Sequence, residues 1–202
     1  SGFLRSSREE YVLLSDCDVV GNIDFNEVVY KHINRGADIT LLYKHGELPK
    51  NTSDTILLSL DNDLRINDIR FSPKIEGGCD FSLNIILMKK DLLLNLIDKC
   101  IEKNKKDFSR DILQKSVKEY KMFGYEIKGF SSMINSTDSY FETNMKLMKA
   151  KIRDELFNYD KPIYTKTRDD MPCKYGIESS VKNSVVANGC IIEGQVENSI
   201  LF

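Results

Sequence analysis

The chain has 202 residues, 41% hydrophobic and 30% charged, which is enough to bury the core of one or two domains. Its 29 Lys and Arg stand against 31 Asp and Glu, a formal net charge of -2, so there is no electrostatic case for nucleic acid or an anionic membrane as partner. No apolar run approaches the ~20 residues of a membrane span, and the opening SGFLRSSREEY has no hydrophobic signal segment.

The first element is a strand, YVLLS, broken by the acids Asp16 and Asp18. Ligands of α/β proteins bind at the carboxyl ends of buried strands, so such an acid can hold a metal or substrate. It can equally cap the following turn. Asp24 then caps a helix in which Phe25, Val28, Val29 and Ile33 keep helical spacing, and Gly36 closes it. ADITLLYK is a second strand, giving a strand-helix-strand unit of the kind that builds parallel sheets. HGELPKNTSDT reads as a loop, and ILLSLDNDLRINDIRFS as short strands around an Asn/Asp turn.

A buried strand ends near Met88, and Asp91 starts a helix with Leu92, Leu93, Leu96, Ile97 and Ile101 on one face. RDILQKSVKEY predicts a further helix and KMFGYEIKGF a strand. STDSYFETNMKLMKA opens with capping residues, and its stripe of Tyr140, Phe141, Met145 and Met148 reads as core packing. His32 falls on a polar helix face and His45 in a loop, which speaks against a histidine-built metal or nucleophile site. Five scattered cysteines, Cys17, Cys79, Cys100, Cys173 and Cys190, contain no CxxC pair and predict free thiols in a reducing cytoplasm.

Beyond Asp160 the composition changes. DKPIYTKTRDDMPCKYG is an extended, Pro-containing connector. In the final stretch short aliphatic pairs alternate with Asn, Ser, Gly and acids, and VKNSVV returns fifteen residues later as VENSIL. Short parallel coils joined by small-residue corners give such a pattern. The expected organisation is an α/β domain over 1–158, a linker over 159–176 and the first coils of a left-handed β-helix over 177–202. In those coils Val185, Val186, Ile191, Ile192, Val196 and Ile200 are expected to form a small apolar cluster.

This order of elements resembles bacterial ADP-glucose pyrophosphorylase, also called glucose-1-phosphate adenylyltransferase, and within it the D-type, regulatory-like subunit. The segments that carry the resemblance are YVLLSDCDVVGNIDF, CDFSLNIILMKKDLL, DFSRDIL, STDSYFETNMKLM, KPIYTKTRDDMPCKYG and VKNSVVANGCIIEGQVENSILF. It implies part of a nucleotidyltransferase, Rossmann-like sheet followed by a left-handed β-helix. The family's Gly-Asp-His, whose aspartate is associated with Mg²⁺, is matched by Cys17-Asp18-Val19. Its sugar-phosphate Glu-Lys-Pro falls at Phe71-Ser72-Pro73, keeping only the proline. Ser-x-Gly becomes Ser82-Leu83-Asn84, Asp107 matches a sugar-contacting acid, and the aspartate of Asp-Val-Gly-Thr, the second metal-associated acid, is replaced by Met133. The family's Gly-rich phosphate loop has no counterpart, since GNID, EGGCD and NGC hold only turn glycines. On this resemblance the chain is expected to be the carboxyl part of a longer subunit.

The resemblance implies a cytoplasmic, non-catalytic or weakly catalytic subunit that joins an active ADP-glucose pyrophosphorylase subunit in a homo- or hetero-oligomer. It would serve glycogen biosynthesis, in which ATP and glucose 1-phosphate give ADP-glucose and pyrophosphate. Ser82 and Asp107 keep sugar-phosphate positions, Asp18 keeps half of a metal site, and catalytic Mg²⁺ belongs to the partner. The expected present role of Asp18 is local hydrogen bonding at the strand end. The alternative is an active sugar-phosphate nucleotidyltransferase with altered ligands drawn from Asp16, Asp18 and Asp107. A third reading is an α/β interaction domain unrelated to sugars.

Overall fold

The computed structural model describes residues 2–48, 55–71, 77–105, 107–166 and 169–202. The chain forms two compact units, one of residues 1–19 and 23–128, the other of residues 20–22 and 129–202. Helices α4 (Thr137–Lys146) and α5 (Ala150–Leu156) thus fall in the second unit, ahead of the connector, rather than with the first.

The first unit is built on a mixed sheet of β1 (Tyr11–Ser15), β3 (Ile39–Gly46), β4 (Ile56–Leu60), β5 (Ile66–Phe71), β6 (Cys79–Lys89) and β7 (Met122–Glu126); β2 (Val19–Gly21) lies outside it. The strand order is β5-β4-β6-β3-β7. Along its other edge β6 takes β4 at Phe81 and then β1 from Ile85 to Lys89, both antiparallel. A short helix, α1 (Gly2–Ser6), precedes β1, and the strand-helix-strand unit that follows it does not pair its own two strands. Strand β6 stands between β1 and β3, and parallel pairing is found at β3 and β7.

Strand β3 is buried from Ile39 to Tyr43 because both of its faces are covered. Ile39, Leu41 and Tyr43 join Ile86, Met88, Leu93, Leu96, Ile112, Leu113 and Val117 in one core, so α3 (Lys90–Glu102) and the helical turns 109–117 cover that face. On the other face Thr40 Oγ1 lies 2.8 Å from His32 Nδ1 of α2 (Phe25–Asn34). Asp24 caps α2 by accepting from the Asn26 and Glu27 amides, and Gly36, at φ +58°, ends it as expected. The buried face, however, is Val28 and His32, whereas Phe25 and Ile33 are exposed. His32 is core and not polar surface, and its burial holds the imidazole below the usual histidine range. His45 is likewise in strand β3, where its Nδ1 lies 2.7 Å from Asp80.

The β4–β5 turn is held by Asp61, whose carboxylate accepts from the amides of Asp63 and Arg65 at 2.9 Å. Helix α3 begins at Lys90 without a side-chain cap, and Ile101, placed on its apolar face by spacing, is 72% exposed. The segment predicted as one helix after Asp107 is a π-helical turn over Ser109–Leu113 and a 3-10 turn over Gln114–Ser116.

In the second unit, β2 pairs with β8 (Ser131–Met133). Asn22 donates from Nδ2 to the carbonyls of Leu156 and Lys161, at 2.9 and 2.8 Å, tying the end of α5 to the connector. Ser136 and Ser139 form a reciprocal capping box on α4. The aromatic stripe of α4 is not core: Tyr140 and Phe141 are exposed, and the helix turns Thr143 inward against Ser132.

Beyond the connector, β9 (Lys174–Tyr175), β10 (Ser180–Lys182), β11 (Val185–Val186), β12 (Ile191–Ile192), β13 (Gln195–Glu197) and β14 (Ile200–Leu201) form three separate two-stranded parallel sheets. The pairs align Val181 with Val196, Val185 with Ile200, and Lys174 with Ile191. The sequence repeat is therefore also the structural register. Asn183 and Asn198 occupy equivalent places with φ of +42° and +49°, and Asn183 Nδ2 donates to Asn198 Oδ1 at 2.6 Å. Asn tolerates this left-handed conformation best among residues with a side chain. Of the expected apolar cluster Ile192 is buried, Val185, Val186, Val196 and Ile200 are half-buried, and Ile191 points to solvent.

Candidate functional site

Asp18 lies between β1 and β2 and is half-buried, with Asp16 and Cys17 beside it exposed. Its Oδ1 is fully enclosed and has no hydrogen-bond partner. The local hydrogen bond expected of it is therefore not made by this oxygen. Enclosing a carboxylate oxygen without a donor costs free energy, and functional sites are where such costs persist. Met133 ends β8 and is half-buried. Among the described residues no three His, Cys, Asp or Glu side chains converge as a metal-binding group. Met133 offers a thioether where the resemblance implies an aspartate, and a thioether is a poor donor for Mg²⁺, which takes oxygen ligands in near-ideal octahedral geometry.

Ser82 is buried in the middle of β6, paired with Tyr43 across a bulge in the ladder between Leu42 and Tyr43. Its Oγ accepts from the Asn84 amide at 3.1 Å. Asn84 has a φ of +55° inside the strand. This is a conformation that glycine adopts without cost.

Asp107 precedes the π-helical turn, where its Oδ1 accepts from the Arg110 amide at 2.9 Å and its Oδ2 lies 3.6 Å from Arg110 Nε. The same guanidinium sits over the Phe71 ring, 4.8 Å from its centroid. Asp107 and Phe71, two positions identified in sequence, are thus brought to one cation. Ser72 and Pro73 lie outside the described residues. Sequence reasoning passed over Arg110; its one signal was a spacing of three from Asp107, which is the spacing of a helical ion pair.

No family model matches the chain. The mixed sheet with helices on both faces and a strand-end acid fits a nucleotidyltransferase-like fold. Over 99% of its length the chain is 31% identical to "Glycogen biosynthesis protein GlgD" of Bacillus subtilis and 34% identical to the protein of the same name from Geobacillus stearothermophilus, covering 48% of each. It is 26% identical to "Glucose-1-phosphate adenylyltransferase" of Mycoplasma mobile, of which it covers 53%. The chain is thus similar to the GlgD proteins and to glucose-1-phosphate adenylyltransferases, and it spans about half the length of the curated relatives it matches.

Proposed function

We propose that this chain is part of a regulatory, non-catalytic or weakly catalytic subunit that joins a catalytic glucose-1-phosphate adenylyltransferase in the cytoplasm and supports glycogen biosynthesis. The observation that carries this reading is Met133, a thioether where the family pattern places its second metal-associated aspartate. Phosphoryl chemistry of this type rests on positioning and on neutralising developing charge. A chain with one carboxylate left for the cation lacks the means for it, and catalytic Mg²⁺ belongs to the partner's site. The similarity to the two GlgD proteins supports the same assignment. No helix among the described residues is long and apolar enough to cross a membrane.

The parallel pairs at offsets of 15 and 17 residues support reading residues 174–202 as successive coils of a left-handed β-helix, with the Asn183 and Asn198 ladder at one corner. Ser82 and Asp107 hold remnants of a sugar-phosphate pocket. Ser82 sits beside a bulge at which Asn84 holds a φ of +55°, and Asp107 anchors Arg110, which covers Phe71. Co-expression of the full-length protein that carries this chain with a catalytic subunit tests the proposal. The two should co-elute as one oligomer, and the catalytic subunit's rate or substrate affinity should change on mixing. Separate elution with unchanged kinetics would refute it.

A further inference from the structure

Two of the five cysteines occupy one place in the parallel register. Lys174 pairs with Ile191 and Tyr175 with Ile192, so Cys173 and Cys190, each one residue earlier, stand opposite one another on neighbouring strands. The backbone is fixed on both sides of them. The Lys174 amide donates to the Cys190 carbonyl at 2.9 Å and the Gly189 amide to the Met171 carbonyl at 2.6 Å. Neighbouring strands lie about 4.8 Å apart, within the Cα separation of about 4.4–6.8 Å that a disulfide spans. Side chains in register on parallel strands point to the same face, so the two Cβ vectors are not opposed.

Tyr175 marks that face independently. It lies two residues after Cys173 on the same side, and its hydroxyl is pushed above the usual tyrosine range, first by a hydrogen bond with the Cys173 thiol and to a lesser degree by Cys190. Both sulfurs therefore neighbour one phenol. Both cysteines are half-buried free thiols in this structure, within reach of a small reagent. The other three lie elsewhere in the sequence and in the first unit.

We propose that Cys173 and Cys190 form a reversible disulfide that ties the end of the connector to the adjacent strand. The oxidant is a low-molecular-weight disulfide. One thiolate attacks a sulfur of the reagent and expels a first small thiolate, leaving a mixed disulfide on the protein. The second cysteine, deprotonated, then attacks the protein sulfur of that mixed disulfide and expels the second small thiolate. Two protein thiols are oxidised, one reagent disulfide is reduced to two thiols, and the two protons pass to the departing thiolates. The reverse exchange with excess thiol restores the open pair.

The test uses the whole 202-residue chain treated with oxidised glutathione, alongside a variant in which Cys17, Cys79 and Cys100 are all serine. Intact mass of the three-serine variant should fall by two hydrogens, and peptide mapping of both proteins should find Cys173 joined to Cys190. Dithiothreitol should return the original mass. C190S, made on the three-serine variant, should instead keep one glutathione on Cys173. Only glutathione adducts without ring closure, or only dimers linked between chains, in the three-serine variant would overturn the proposal.

Discussion

Replacing Asp18 by alanine probes whether its carboxylate is a structural element or the remnant of a site. The Oδ1 atom is enclosed without a donor. An unsatisfied buried polar group costs about 1–3 kcal/mol, more when charged. Asp18 is half-buried as a residue, so water reaches part of the carboxylate and the lower end of that range applies, about 1 kcal/mol. In a chain of this size that gain corresponds to roughly 2–4 °C in Tm. Asp18→Ala should therefore raise the melting temperature of the isolated chain by about that amount, read by thermal unfolding or urea titration. Asp18→Asn keeps an enclosed polar atom and should gain less. Millimolar Mg²⁺ should move wild type and Asp18→Ala equally, because a cation held by the carboxylate would stabilise the wild type alone. A fall in melting temperature on Asp18→Ala, or a Mg²⁺-dependent rise confined to the wild type, would refute this reasoning.

Gly124→Ala should be costly, because a Cβ there would come within 2.8 Å of Tyr43 Cε1 and 3.0 Å of Leu60 Cδ2 in the packed sheet; overpacking of this kind costs about 1–3 kcal/mol, measurable by urea unfolding. Burial depresses the pKa of His32, with Lys89 adding to the effect and Asp38 opposing it, so the folded state keeps the ring neutral while the unfolded chain binds the proton at pH ~6.5. Stability is then present above that pH and lost as pH falls through the lower folded value, so His32→Asn should flatten the decline of unfolding free energy between pH ~7 and ~5. In the full-length protein, Met133→Asp with Phe71→Glu and Ser72→Lys should raise solo pyrophosphate release measurably, since one such electrostatic contact is commonly worth ~10²–10³ in rate.

Much of this fold is legible where local chemistry decides. Asp24 and Gly36 bound α2 because a cap and a left-handed glycine are short-range requirements. The Asn-Ser repeat reads through to the register of the parallel strands because equivalent residues stack. Strand order is another matter, since nothing in the periodicity of β1 and β3 announces that β6, far later in sequence, inserts between them. The buried face of α2 was hidden for a related reason. A hydropathy stripe favours Phe25 and Ile33, but the helix docks through Val28 and His32, and the His32–Thr40 hydrogen bond allows a polar side chain to occupy the core. For the candidate site, the resemblance gives residue positions alone. The positive φ of Asn84 and the grip of Asp107 on Arg110 depend on tertiary placement, and only the structure reveals them.

The central claim, that loss of the metal and sugar-phosphate residues leaves this subunit without effective catalysis of its own, is tested most directly by one assay. The full-length protein that carries this chain is purified free of any catalytic subunit and supplied with ATP, glucose 1-phosphate and Mg²⁺, and pyrophosphate release is followed. The account predicts turnover lower by at least ~10² than that of a catalytic subunit measured in parallel, the loss expected for one missing electrostatic contact. Turnover comparable to the catalytic subunit would contradict it and make Asp16, Asp18 and Asp107 the acids that carry the reaction.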